Sequence, residues 1–116
     1  MFQLSIERLQ QIGHSRFIEK LITTLKLAFP ETPPDDTQEF RQNLEKIIER
    51  ANLYHIFQDR DVARYVCLTY LLGTNFDTRF PAARSILNDE TRPADERLTL
   101  LEFWADKLME ALGEGK

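Results

Sequence analysis

An all-α fold is what this sequence predicts: a compact single-domain bundle of about four to six helices over residues 1–116, with a central apolar helix near residues 60–72. Three observations carry that reading. The five prolines and four glycines parse the chain into long stretches that hold neither, rich in Leu, Glu, Arg, Lys and Gln, which are good helix formers. Within those stretches apolar residues recur at spacings of three and four, the period of a helix with one buried face. Valine is scarce, and no run alternates in the manner of a half-buried strand. At 116 residues and 42% hydrophobic content, one domain can bury a core without a metal or a disulfide.

The first stretch, residues 5–29, carries Leu9 and Ile12, then Ile18, Leu21, Ile22, Leu25, Ala28 and Phe29. Gly13 falls where the stripe changes phase, so a bend or break is expected there. Pro30 marks the end. The next helix begins within residues 32–36, capped by Thr32 with proline in the first turn or by Asp36 with Glu39 three residues on. Its stripe is Phe40, Leu44, Ile47, Ile48 and Ala51. The third begins near residues 58–61 and runs to Gly73, whose missing Cβ suits a left-handed helix terminus. Val62, Tyr65, Val66, Cys67, Leu68, Tyr70, Leu71 and Leu72 leave it almost no polar face, which marks it as central. Residues 74–80 read as a loop, 81–87 as a short helix. The last helix opens at Pro93, places Asp95 and Glu96 at its positive end, and carries Leu98, Leu101, Trp104, Ala105, Leu108, Met109 and Leu112 before stopping at Gly113.

Charge and composition narrow the function. A net charge of −4 with no Lys/Arg cluster does not make the basic footprint that nucleic acid needs, and anionic membranes are disfavoured for the same reason. No apolar run reaches the roughly 18 residues of a membrane span, and the first residues lack a secretory pattern. Cys67 has no second cysteine to pair with, which fits a reducing compartment. A cytoplasmic location is expected.

No chemistry-bearing constellation emerges, so no catalytic residue, no metal site and no cofactor is expected, and the chain does not read as an enzyme. His14 and His55 stand apart from any second ligand at metal-binding spacing. Cys67 sits mid-way along the most apolar helix, where a thiol is usually packing with a raised pKa. Ser5, Ser15 and Ser85 lie in no nucleophile elbow, and the glycines are too scattered for a phosphate loop. Residues 75–79 lack the ligand order and glycine of a calcium loop. Asp59, Arg60, Asp61 and Arg64 read as first-turn acids and surface ion pairs rather than as a catalytic set.

Two segments stand out as recognition elements. Residues 52–57 place three aromatic rings in a connection that should be polar, and residues 76–80 set Phe76, Asp77, Arg79 and Phe80 together. Aromatic and Arg side chains dominate interface hot spots, and the same rings can also tuck beneath a neighbouring helix. The candidate partner-binding residues are therefore Tyr54, Phe57, Phe76, Asp77, Arg79 and Phe80, with packing beneath the adjacent helix weighed ahead of recognition for both segments.

Residues 61–73 are followed by Asn75-Phe76-Asp77, by Phe80-Pro81-Ala82-Ala83 and by Ile86-Leu87-Asn88-Asp89, and then by Ala94-Asp95-Glu96-Arg97-Leu98. In that order, together with Leu27-Ala28-Phe29-Pro30, the chain resembles a family of small helical proteins encoded beside bacterial type VI secretion effectors and spike proteins. Ala82 departs from the family pattern, in which an aromatic residue often follows the loop proline, and the segment between Asp77 and Pro81 is short. The resemblance implies an adaptor or co-chaperone that binds an effector, its loading chaperone or a spike component, and it transfers no individual functional residue. An immunity protein that neutralises a neighbouring toxin is the alternative, since an acidic surface can cover a basic active site. Oligomeric state is left open.

Overall fold

The computed structural model describes the backbone of residues 6–114 and the side chains of residues 16–113. It is all-α. Six helices lie among the described residues, and no strand does: α1 (Ile6–Ala28), α2 (Gln38–Leu53), α3 (Asp59–Leu72), α4 (Phe76–Arg79), α5 (Pro81–Leu87) and α6 (Ala94–Glu114). The chain divides into two compact units, Met1–Lys46 and Ile47–Lys116, with the division inside α2.

In the first unit α1 runs unbroken through Gly13, contrary to the bend expected there. A single glycine weakens a helix interior by only about 1 kcal/mol relative to alanine, which 23 residues of continuous hydrogen bonding outweigh. Ile18, Leu21, Ile22 and Leu25 are buried as their spacing requires, whereas Ala28 is exposed and Phe29 half-buried. The side chains of Ser5, Leu9, Ile12, His14 and Ser15 lie outside the described residues. The cap of α2 is neither Thr32 nor Asp36. Thr37 Oγ1 accepts the Phe40 amide proton at 3.0 Å, three residues on, as a helix cap does. Asp36 is drawn off by Arg41, which donates to both of its carboxylate oxygens (2.7 and 2.8 Å) and also to Glu19.

In the second unit α6 packs against α3 and α5, and α4 against α5. Val62, Tyr65, Val66, Leu68, Phe76, Ala83, Leu87, Leu98, Leu101 and Ala105 are buried. Arg60 reaches Asp95, and Arg64 reaches Asp95, Thr99 and Glu102, so α3 and α6 advance side by side in the same direction. Their N-termini therefore lie together, a geometry the candidate site uses. The apolar faces are less complete than the sequence implies. Leu71 at the end of α3 and Met109 and Leu112 at the end of α6 are exposed, and Trp104, Cys67 and Tyr70 are half-buried. Gly73 ends α3 with φ +106° and ψ 156°, a positive φ as expected but in the extended mirror region rather than the left-handed helical one. α6 continues one residue past Gly113.

Candidate functional site

The α2–α3 connection, residues 54–58, is short and tightly specified. Its amides turn back on the end of α2: Tyr54 and Ile56 donate to the Ala51 carbonyl and His55 donates to Asn52, all at 2.9–3.0 Å. His55 takes φ +62°, the left-handed region that a β-carbon disfavours. Ile56 is fully buried and anchors the turn from beneath.

Two buried polar groups hold the same turn from the other elements. Asp77, in α4, has no exposed surface, and its Oδ2 accepts from Arg50 Nε and from the Tyr54 hydroxyl, each at 2.6 Å. Burial first, and then the hydrogen bond to Asp77, pushes the Tyr54 phenol up to about 12. The Tyr65 phenol is also raised, chiefly by burial and next by the Asp77 charge. Among the described residues neither the Tyr65 hydroxyl nor Asp77 Oδ1 finds a hydrogen-bond partner, although both are buried. Arg97 is buried as well, and its partners are backbone carbonyls. Its Nη1 donates to Tyr54 O and Leu87 O at 2.8 Å each, and its Nε donates to Arg92 O at 3.1 Å. Leu87 ends α5, so Arg97 supplies a cation to carbonyls that the helix itself leaves unpaired.

What this rigid turn presents outward is apolar. Leu53 is 79% exposed and Phe57 64%, and the Phe57 ring lies beside the exposed His55 imidazole with centroids 6.1 Å apart. A cleft of about 340 Å³ opens beside them, lined by His55, Phe57, Gln58 and Asp61 and by residues 93–95 at the start of α6.

The six sequence candidates divide sharply. Phe57 is exposed, and Tyr54 is half-buried with its hydroxyl spent on Asp77. Residues 76–79 form the one-turn helix α4 instead of a loop, and Phe76 and Asp77 lie wholly inside the fold. Phe76 packs its ring 5.5 Å from that of Tyr65, so these two residues are core, inaccessible to a partner in this conformation. Arg79 is exposed above the ring of Phe80 (5.8 Å), and Phe80 meets Trp104 edge-on at 5.2 Å. The buried Asp77–Tyr54 bond thus joins the 52–57 and 76–80 segments. No family model, curated protein or solved structure matches the chain.

Leu53 and His55 are exposed on this turn and Asp61 is buried in the wall of the cleft, and none of the three was among the sequence candidates for partner binding. Leu53 carried a usable signal, because it falls opposite the Leu44–Ile48–Ala51 stripe on the otherwise charged side of α2. Among the described residues no three metal-ligating side chains gather. Arg64 ties α3 to α6 through Asp95 (2.7 Å) and Glu102 (2.7 Å), so its charge serves helix packing. Cys67 is half-buried, and burial pushes its thiol up.

Proposed function

We propose that this chain is a non-catalytic, cytoplasmic protein-binding accessory factor, and that the turn bearing Leu53, His55 and Phe57 is its recognition surface. The observation that carries the reading is the exposure of two large apolar side chains on a backbone held from three directions. Exposed apolar groups raise the free energy of the free chain, and a pre-organised backbone loses little entropy when a partner covers them. An adaptor or co-chaperone role in type VI effector loading is the form the family resemblance favours, with an effector, its chaperone or a spike component as the bound protein. The net charge of −4 favours a second reading, immunity toward a neighbouring basic toxin.

Affinity capture of the tagged chain from its own cells tests both. Wild type should retain an effector with a chaperone or spike component, and Phe57→Ala together with Leu53→Asp should lower retention by about tenfold or more, the effect of removing an interface hot spot. Capture of a toxin alone, with protection of cells that express it, would establish the immunity role. Retention unchanged by the two substitutions would rule out this surface.

A further inference from the structure

We infer that two copies of this chain pair through α6, the two helices antiparallel, with Leu100 of each copy set against Phe103 of the other. No residue of the α2–α3 turn takes part. The core face of α6 is Leu98, Leu101 and Ala105. A second stripe runs along the helix: Glu96, Leu100, Phe103 and Lys107, spaced four, three and four residues apart. At about 100° per residue these four fall within a band of about 60°, on the side opposite the buried three. All four are exposed, Phe103 at 63% and Leu100 at 38%. Alternating steps of four and three are the seam spacing of paired helices. Trp104, half-buried and edge-on to Phe80 at 5.2 Å, borders the stripe and widens its apolar middle.

The order of residues along the stripe selects the occupant. From N- to C-terminus it reads acid, apolar, apolar, base. Glu96 lies four residues before Leu100, and Lys107 lies four residues after Phe103. An antiparallel copy that sets Leu100 against Phe103 therefore also sets each Glu96 against a Lys107. A twofold axis makes the two ends identical and closes the assembly at two copies. A parallel copy would instead oppose Glu96 to Glu96 and Lys107 to Lys107, like charges at both ends. Both charged groups are available, since each is held in its own chain only by a long, exposed contact: Glu96 at 3.5 Å from Arg92, Lys107 at 3.7 Å from Glu110. Lys107 also lies over its own Phe103 ring, 5.4 Å from the centroid, which keeps the ammonium beside the seam. Residues 96–107 span about 17 Å of helix, too little for the roughly 800 Å² per partner of a standard interface. The dimer is therefore weak, with a Kd between about 10 µM and 1 mM.

Sedimentation of the full chain from about 5 to 500 µM tests the pairing, in about 0.15 M salt, where repulsion between two chains of charge −4 is screened beyond about 8 Å. Wild type should pass from monomer toward dimer across that range and go no further. Lys107→Glu and Glu96→Lys should each weaken the dimer about tenfold or more, because each opposes like charges at both ends. An equimolar mixture of the two variants should return to the wild-type level, since every facing pair is then again one acid and one base. Phe103→Ser, at an exposed position, should weaken the dimer by about tenfold or more with the helix content by circular dichroism unchanged. If Glu96→Lys loses helix, Lys107→Glu and Phe103→Ser decide by themselves. A wild type that stays monomeric, a dimer indifferent to Lys107→Glu and Phe103→Ser, or assembly beyond two copies would each overturn the inference. So would a mixture of folded variants that fails to recover, or one that pairs more tightly than wild type, the mark of parallel helices. A monomer whose Phe103→Ser variant loses a captured partner would give this face to another protein, and the inference falls.

Discussion

A carboxylate without exposed surface survives in a folded chain only where donors meet it, and Asp77 meets two through a single oxygen. Replacing Asp77 by Asn keeps the shape and removes the charge that Arg50 and Tyr54 both address. The expected loss is about 2 kcal/mol, moderated because the Arg50 side chain is partly exposed and can turn to water. Tyr54→Phe, which removes one donor and leaves the ion pair, should cost about 1.5 kcal/mol. Urea denaturation reads both as shifts of midpoint at constant slope. The phenols add a pH dependence whose sign follows from their shifts. Both Tyr54 and Tyr65 hold their protons more tightly folded than unfolded, so their contribution is fully present below the ordinary tyrosine value of 10.0. It fades as pH rises toward about 12, the value for Tyr54. Urea midpoints should therefore hold steady across neutral pH and fall from pH 10 upward, and Tyr54→Phe should flatten part of that fall. A midpoint that stays level to pH 12 would remove the tyrosines from this role. Of these groups the sequence exposed only the identities: nothing in the local pattern around Asn75-Phe76-Asp77 distinguishes a buried aspartate from a solvated one, because its partners come from residues 27 and 23 positions away.

At the scale of elements, local punctuation was legible wherever it acted locally. Gly73 and Pro81 bound their helices within a residue or so of the expected positions, and the three-and-four spacing located Ile18–Leu25, Leu44–Ala51 and Leu98–Ala105 as buried faces. Elements shorter than the period left no trace. α4 spans four residues, too few for a stripe, so residues 74–80 read as a loop in which Phe76 and Asp77 stood open between recognition and packing. The exposure of Met109 and Leu112 was equally hidden, since periodicity marks a face and not where its neighbour ends. Two backbone sites give a paired prediction. Gly73→Ala meets open space, so any loss comes from backbone strain alone, roughly 1–3 kcal/mol at this φ and ψ. His55→Gly should do the reverse and stabilise by up to about 1 kcal/mol, because glycine adopts φ +62° without a Cβ penalty. Thermal midpoints of the two variants should move in opposite directions. If His55→Gly also loses partner capture, the strained residue is kept for the surface it forms, a trade of stability for binding.

For the molecule as a whole, the proposed protein-binding role gives the charge balance and the turn separate tasks: the first sets how a partner arrives, the second how long it stays. The −4 net charge was plain in the sequence, and so was the aromatic richness of residues 52–57; which rings face outward depended on Ile56 and Arg97 fixing the turn, a tertiary fact. A basic partner approaching an acidic chain is accelerated by long-range attraction, and that attraction is screened over about 8 Å at physiological salt. Contacts of Leu53 and Phe57 are short-ranged and unaffected by screening. The association rate with a captured partner should therefore fall as salt rises from about 0.05 to 0.5 M, by tenfold or so, while the dissociation rate changes little. Phe57→Ala should act on the other limb, speeding dissociation and leaving the salt dependence of association as it is. Surface plasmon resonance at several ionic strengths separates the two. An association rate indifferent to salt would mean a partner selected by the apolar turn alone, and the net charge of −4 would then have no part in the encounter.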